Sequence, residues 1–180
     1  TAPRPARSAP SRRRSTRTDV AVLVALAGLP GTGKTTLAQA LARRLPAVHV
    51  RIDTLEAAIA ASSLGEAAEA GYLAGYAVAG DNLALGLNVI ADSVNALEIT
   101  RQAWRDTAAA TQARMLEVEL TCSDTQQHRA RIEADTGRPA WADIQARRVD
   151  PWTTAPLRLD TAALSVDEAA ATVLEALDPS

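Results

Sequence analysis

Residues 28–35 read Gly28-Leu29-Pro30-Gly31-Thr32-Gly33-Lys34-Thr35, and no other stretch restricts the fold of this chain so tightly. They fit the phosphate-loop (P-loop) pattern G-x-x-x-x-G-K-[ST] at each fixed position. Residues 20–27, eight apolar residues rich in valine, precede the loop and read as a buried strand. Residues 36–45 follow it and repeat leucine at helical spacing. A strand, a glycine-rich turn and a helix in this order form an anion cradle, because backbone N–H groups and a helix N-terminus converge on one point. The implied binding set is Gly28, Pro30, Gly31, Thr32, Gly33, Lys34, Thr35 and Thr36. Lys34 reaches the terminal phosphates and the Thr35 hydroxyl is placed to ligate magnesium. Of nineteen basic residues, Lys34 is the only lysine.

The remaining composition bounds the setting of this loop. A chain of 180 residues suits one domain with a real core. Phenylalanine is absent and aromatics are 3% of the chain, so the core must be aliphatic. Cys122 is the only cysteine, which excludes an intramolecular disulfide and a cysteine zinc site. No apolar run reaches the roughly 18 residues of a membrane span, and a soluble, cytoplasmic protein without membrane partners is expected. The net charge of −2 divides unevenly. Residues 1–18 carry six arginines and no acid, whereas the other 162 residues carry −8. The first segment has no large apolar residue and reads as a disordered, arginine-rich extension, leaving residues 19–180 as the folded domain.

Along that domain, residues 48–53 alternate as a strand ending in Asp53, and a helix is expected over 54–61. Residues 62–66 break the pattern. A helix over 67–87 carries Tyr72 and Tyr76 on one face, and its glycines imply a kink or close packing on a neighbour. Residues 88–92 form a strand ending in Asp92, 97–113 a helix and 115–122 a fourth strand. Ser123 and Gln126 read as a capping box. The helix they open carries Arg129 and Arg131, and a short helix over 140–148 follows. A fifth strand covers 157–159, and Ser165 and Glu168 cap the last helix. Strands alternating with helices predict a parallel sheet covered on both faces. In such sheets ligands bind beyond the carboxyl ends of the strands. The phosphate loop, Asp53 and Asp92 therefore belong to one sheet edge.

These residues resemble the small P-loop kinases, the branch that includes polynucleotide kinases and chloramphenicol phosphotransferase. The resemblance spans about residues 20–178 and rests on GLPGTGKTT (28–36), VRIDTLEAAI (50–59), NVIADSVN (88–95), LTCSDTQQHRARIE (120–133) and LDTAALSVDEA (159–169). It implies a three-layer α/β P-loop NTPase fold, with a five-stranded parallel sheet in the order 2-3-1-4-5 and helices on both faces. It also implies ATP and Mg2+ as cofactors. Asp53 matches the acid that acts on the acceptor hydroxyl; the alternative is that it caps the helix at Thr54, with Glu56 completing the box. Asp92 resembles the magnesium-associated acid, giving Thr35 and Asp92 as metal ligands. It is followed by Ser93 rather than glutamate, which points away from an AAA+-type hydrolytic engine. Asn95, with Glu98, reads as the cap of the next helix. Arg129 and Arg131 fall in the lid-like region that clamps phosphates, and the alternative for each is a solvated helical face.

The chain also departs from the family pattern. Asp135 stands where relatives often carry an arginine, and the lid loop is short: either Arg138 substitutes or transfer is slow. Glu56 stands where polynucleotide kinases place an arginine. The resemblance thus implies an ATP-dependent phosphotransferase acting on a small-molecule hydroxyl, with Lys34, Asp53 and Arg131 as catalytic residues. A polynucleotide or nucleotide kinase is the alternative, with nucleic acid the less favoured partner of an acidic body. A nucleotide-binding switch without transfer is the third reading. Tyr72, Tyr76 and Trp104 either line the acceptor pocket or pack the core. The sequence names neither the acceptor nor an oligomeric state.

Overall fold

The computed structural model describes residues 20–62, 67–135, 137 and 139–178. The arginine-rich extension and Arg138 lie outside the described residues. The first strand, β1 (Val22–Ala27), is buried along its whole length. Its alternation divides the core in two. Val22, Val24 and Leu26 face Leu37 and Leu41 of α1 (Lys34–Arg44) and Ala170 and Val173 of α7 (Val166–Leu177). Leu23 and Ala25 face Ala79 and Leu83 of α3 (Ala67–Ala84) and Trp104 and Ala108 of α4 (Glu98–Ala110). Each fully buried aliphatic side chain contributes about 1.5–3 kcal/mol, so this strand alone anchors both helical layers.

Around β1 stand β2 (Ala47–Arg51), β3 (Asn88–Asp92), β4 (Arg114–Thr121) and β5 (Leu157–Asp160), all parallel, in the order β2-β3-β1-β4-β5. Three more helices complete the described residues: α2 (Ile52–Ala61), α5 (Thr125–Glu133) and α6 (Trp141–Gln145). The expected architecture and strand order are those observed. In register, Leu26 of β1 faces Asp92 of β3, so the carboxylate stands two residues short of the phosphate loop, on the neighbouring strand.

Several local expectations are corrected. β2 ends at Arg51, and α2 begins at Ile52, so Asp53 lies inside the first helical turn instead of ending a strand or capping a helix at Thr54. The N-cap of α4 is Leu97, not Asn95. Asn95 is buried with φ 48°, donates from Nδ2 to the Leu26 carbonyl at 2.7 Å, and accepts from Trp104 Nε1 at 3.1 Å. It ties the end of β1 to the core. The cap of α5 is Asp124, which accepts from the Gln127 amide at 2.9 Å, while Ser123 bonds Asp160. The helix expected over 140–148 is only α6. The Ser165–Glu168 capping box is formed as expected. The α3 glycines serve close packing: a methyl group at Gly75 would overlap Ile52 of α2, and one at Gly71 would overlap the Glu56 stem. Tyr76 and Trp104 pack edge to face at 4.6 Å, and Trp104 is fully buried, so these two aromatics belong to the core.

Candidate active site

The phosphate loop connects β1 to α1 with Gly28, Gly31 and Gly33 all at positive φ. Gly28, at φ 142°, has no room for a side chain, since a Cβ would strike the Leu120 carbonyl. This is the backbone conformation that glycine alone adopts freely. Gly33, left-handed at φ 91°, precedes α1 and makes no side-chain cap, so the first turn of the helix keeps its amides for a ligand. The loop is braced from several directions. The Gly28 amide donates to the Val94 carbonyl at 3.0 Å, and the Thr32 hydroxyl donates to the Leu29 carbonyl at 2.9 Å. His128 of α5 donates its Nε2–H to the Pro30 carbonyl at 2.8 Å and stacks edge to face on Trp141. A carbonyl only accepts, so this contact fixes the tautomer of the buried imidazole.

Lys34 is buried and donates to the Leu29 carbonyl at 2.9 Å, folded over its own loop. Asp92 is 3% exposed and accepts from His49 Nε2 at 3.2 Å, with Arg51 Nε at 3.9 Å. Burial pushes its pKa up. Hydrogen bonds from His49 and from the Thr35 hydroxyl, with the Lys34 charge, outweigh that and hold it below the ordinary carboxylate value. Thr35 and Asp92, expected as metal ligands, are thus close enough to interact. An ionised carboxylate beside a hydroxyl and a phosphate cradle is the donor set that magnesium takes, since it is usually held by one or two carboxylates plus substrate phosphates. Among the described residues, no group of three His, Cys, Asp or Glu forms an all-protein metal site. The residues therefore fit magnesium.

Asp53 is 58% exposed and accepts from Arg51 at 3.0 Å. A cavity of ≈ 650 Å³ holds Lys34, Asp92 and the loop residues Pro30 and Gly31 together with Arg51, Asp53, Glu56, Tyr72 and Arg147. Tyr72 accepts from the Asn95 amide through its phenol oxygen at 3.2 Å. A second cavity of ≈ 460 Å³ adjoins Gly33 and Thr36 on the other side of the loop and is lined by Arg131 and Thr161. Arg131 donates to the hydroxyl and carbonyl of Thr161 at 2.8 and 3.0 Å. Arg129 is not brought to the loop: it is exposed and pairs with Glu133 one turn on. His49, His128, Ser93 and Arg147 escaped the sequence reading as site residues. Period-two alternation on β2 does place His49 and Arg51 on one face, but their meeting with Asp92 depends on strand order.

The family model described as an AAA domain matches residues 23–151. No curated protein matches the chain. Among solved structures, the Mycobacterium tuberculosis APS kinase CysC, in complex with AMPPNP and APS, is 21% identical with a TM-score of 0.69, over 87% of this chain and 97% of that one. Chaetomium thermophilum Kti12, in complex with ADP-AlF3, is 20% identical with a TM-score of 0.67, over 87% and 99%. A gluconokinase from Sinorhizobium meliloti is 18% identical with a TM-score of 0.63, over 88% and 92%. At these identities the likeness is one of fold.

Proposed function

The chain belongs to the AAA-domain family, and from that premise we propose that it is an ATP- and magnesium-dependent kinase of a small hydroxylated molecule. The observation that carries this reading is the ≈ 650 Å³ cavity, which joins the phosphate-loop lysine and Asp92 to a separate group of polar side chains around Asp53. Room of this kind beside the phosphates is what an acceptor molecule needs. Two solved structures of the same fold carry nucleotide or its mimic, which supports nucleotide binding here.

In this reading the loop amides and Lys34 hold the phosphates, and the cavity beside Gly33 and Thr36 receives the nucleoside, with Arg131 on its wall. Thr35 and Asp92 would hold magnesium, which supplies charge neutralisation at the phosphate oxygens. The acceptor oxygen attacks the γ-phosphorus, the bond to the β–γ bridging oxygen breaks, and ADP leaves. The hydroxyl proton passes to the Asp53 carboxylate, an arrangement that typically contributes ~10²–10⁴ in rate. Lys34 follows the charge as it moves onto the leaving oxygen, so the site is organised for the transition state.

The test is transfer of label from γ-labelled ATP to a panel of sugars, cyclitols, nucleosides and oligonucleotides. Label should appear on a small hydroxylated member. Label on oligonucleotides alone assigns the protein to nucleic acid, and ATP binding without transfer to any member assigns it to nucleotide-dependent switching.

A further inference from the structure

Resting on the kinase reading, the acceptor half of the large cavity is specific in its charge. Asp53 and Glu56 are three residues apart on α2 and line the same cavity, as i and i+3 positions on one helical face do. Glu56 is held there by a neighbour. Its stem lies against Gly71 of α3, where any side chain would overlap it, so α3 keeps its smallest residue at the point that positions the carboxylate. A second observation is independent of the acids. Ser93, 2% exposed, lines this cavity, and its Oγ has no hydrogen-bond partner among the described residues. The Tyr72 phenol is close enough to interact with it but not in hydrogen-bond geometry. A buried, unsatisfied hydroxyl on a residue that lines a cavity is a group that a bound ligand can satisfy.

Two of the three cations that line the cavity are already engaged. Lys34 lies over the phosphate loop, and Arg51 is held between Asp53 and Asp92. Arg147 is exposed at the mouth, and although it favours ionised Glu56, burial and the Asp53 charge outweigh it and push the Glu56 pKa up. Four carboxylates, those of Asp53, Glu56, Asp92 and Asp135, line the cavity against three cations, and bound nucleotide phosphates would add further negative charge. An anionic acceptor would face Asp53 and Glu56 with only Arg147 to offset them.

We propose that Glu56 is a specificity-determining residue that receives an ammonium group, and that the acceptor is an amine-bearing polyol, such as an amino sugar or aminocyclitol. Its neighbouring hydroxyls meet Ser93 and Tyr72, and the hydroxyl to be phosphorylated meets Asp53.

Steady-state transfer by the full chain with Mg·ATP tests this on acceptors matched in shape and differing in charge: glucose, glucosamine, N-acetylglucosamine and gluconate, with myo-inositol and 2-deoxystreptamine as the cyclitol pair. The amine-bearing members should lead their uncharged counterparts in kcat/KM by about ten- to a hundredfold, the range of a charge-assisted hydrogen bond. Glu56→Gln should erase that lead, with the loss in KM for the amines. Equal use of glucosamine and its N-acetyl form, a preference for gluconate, or an unchanged lead in Glu56→Gln would overturn the assignment while leaving the kinase standing. Transfer to no member overturns this inference, and the kinase reading is then decided by nucleosides and the rest of the wider panel.

Discussion

Asp92 accepts a hydrogen bond from His49 at 3.2 Å, across the pairing of β2 with β3, two strand ends away from any shared sequence signal. Together with the Thr35 hydroxyl and the Lys34 charge, this contact holds the Asp92 pKa below the ordinary carboxylate value although the residue is buried. A carboxylate prepared in this way suits the magnesium that the kinase reading proposes.

Asp92→Asn keeps the size of the side chain and removes the charge. Titration calorimetry with AMPPNP at a series of magnesium concentrations should show that the variant requires at least about tenfold more magnesium for the same nucleotide affinity, the lower end of the range for disturbed metal sites. An unchanged magnesium requirement would place the metal elsewhere.

Lys34→Ala removes a side chain that is buried against its own loop, not in either aliphatic core. The variant should melt close to the parent and lose phosphoryl transfer. Transfer at the parental rate would show that the phosphates are bound without the loop lysine.

Asp53→Asn separates chemistry from structure, because Asp53 caps nothing and its helix has Arg51 as N-cap. Nucleotide binding and melting temperature should be unchanged and turnover slower by ~10²–10⁴. Near-normal turnover would reduce Asp53 to a surface partner of Arg51, and lost nucleotide binding would move it to the metal.

Glu56 makes a prediction about stability that runs opposite to the usual one for a charged residue. Its folded pKa lies above the ordinary 4.5, mainly from burial and then from Asp53. The folded state therefore binds the proton more tightly than the unfolded chain, and stability falls as pH rises through that range. Thermal melts of Glu56→Gln should exceed the parent at pH 7, and the gap should close below about pH 4, where the parental carboxyl is protonated in both states. A variant less stable at pH 7 would show that the carboxylate holds the fold instead of awaiting a ligand.

Much of the frame was legible because it is written in short-range periodicities. A valine-rich run, a glycine loop and leucines at helical spacing specify β1, the phosphate loop and α1 without reference to the rest of the chain. The Ser165–Glu168 box is likewise a matter of four adjacent residues. Boundaries failed where a tertiary bond outweighed a local preference. Asn95 has the chemistry of a helix cap, but its amide is used between Leu26 and Trp104, and α4 starts later. Ser123 looked like a cap until Asp160, on β5, took its hydroxyl and Asp124 became the cap.

By itself, then, the sequence determined the phosphate loop, the alternation of strands and helices and the two acids Asp53 and Asp92, because each is set by neighbours within a turn or a strand. Only the tertiary structure decided what those acids face. His49 reaches Asp92 because β2 lies next to β3, the Glu56 stem rests on Gly71 because α3 packs on α2, and Arg131 turns to Thr161 while Arg129 turns to Glu133. Most of these contacts join residues far apart in the chain, and packing of the layers, not local preference, selects them.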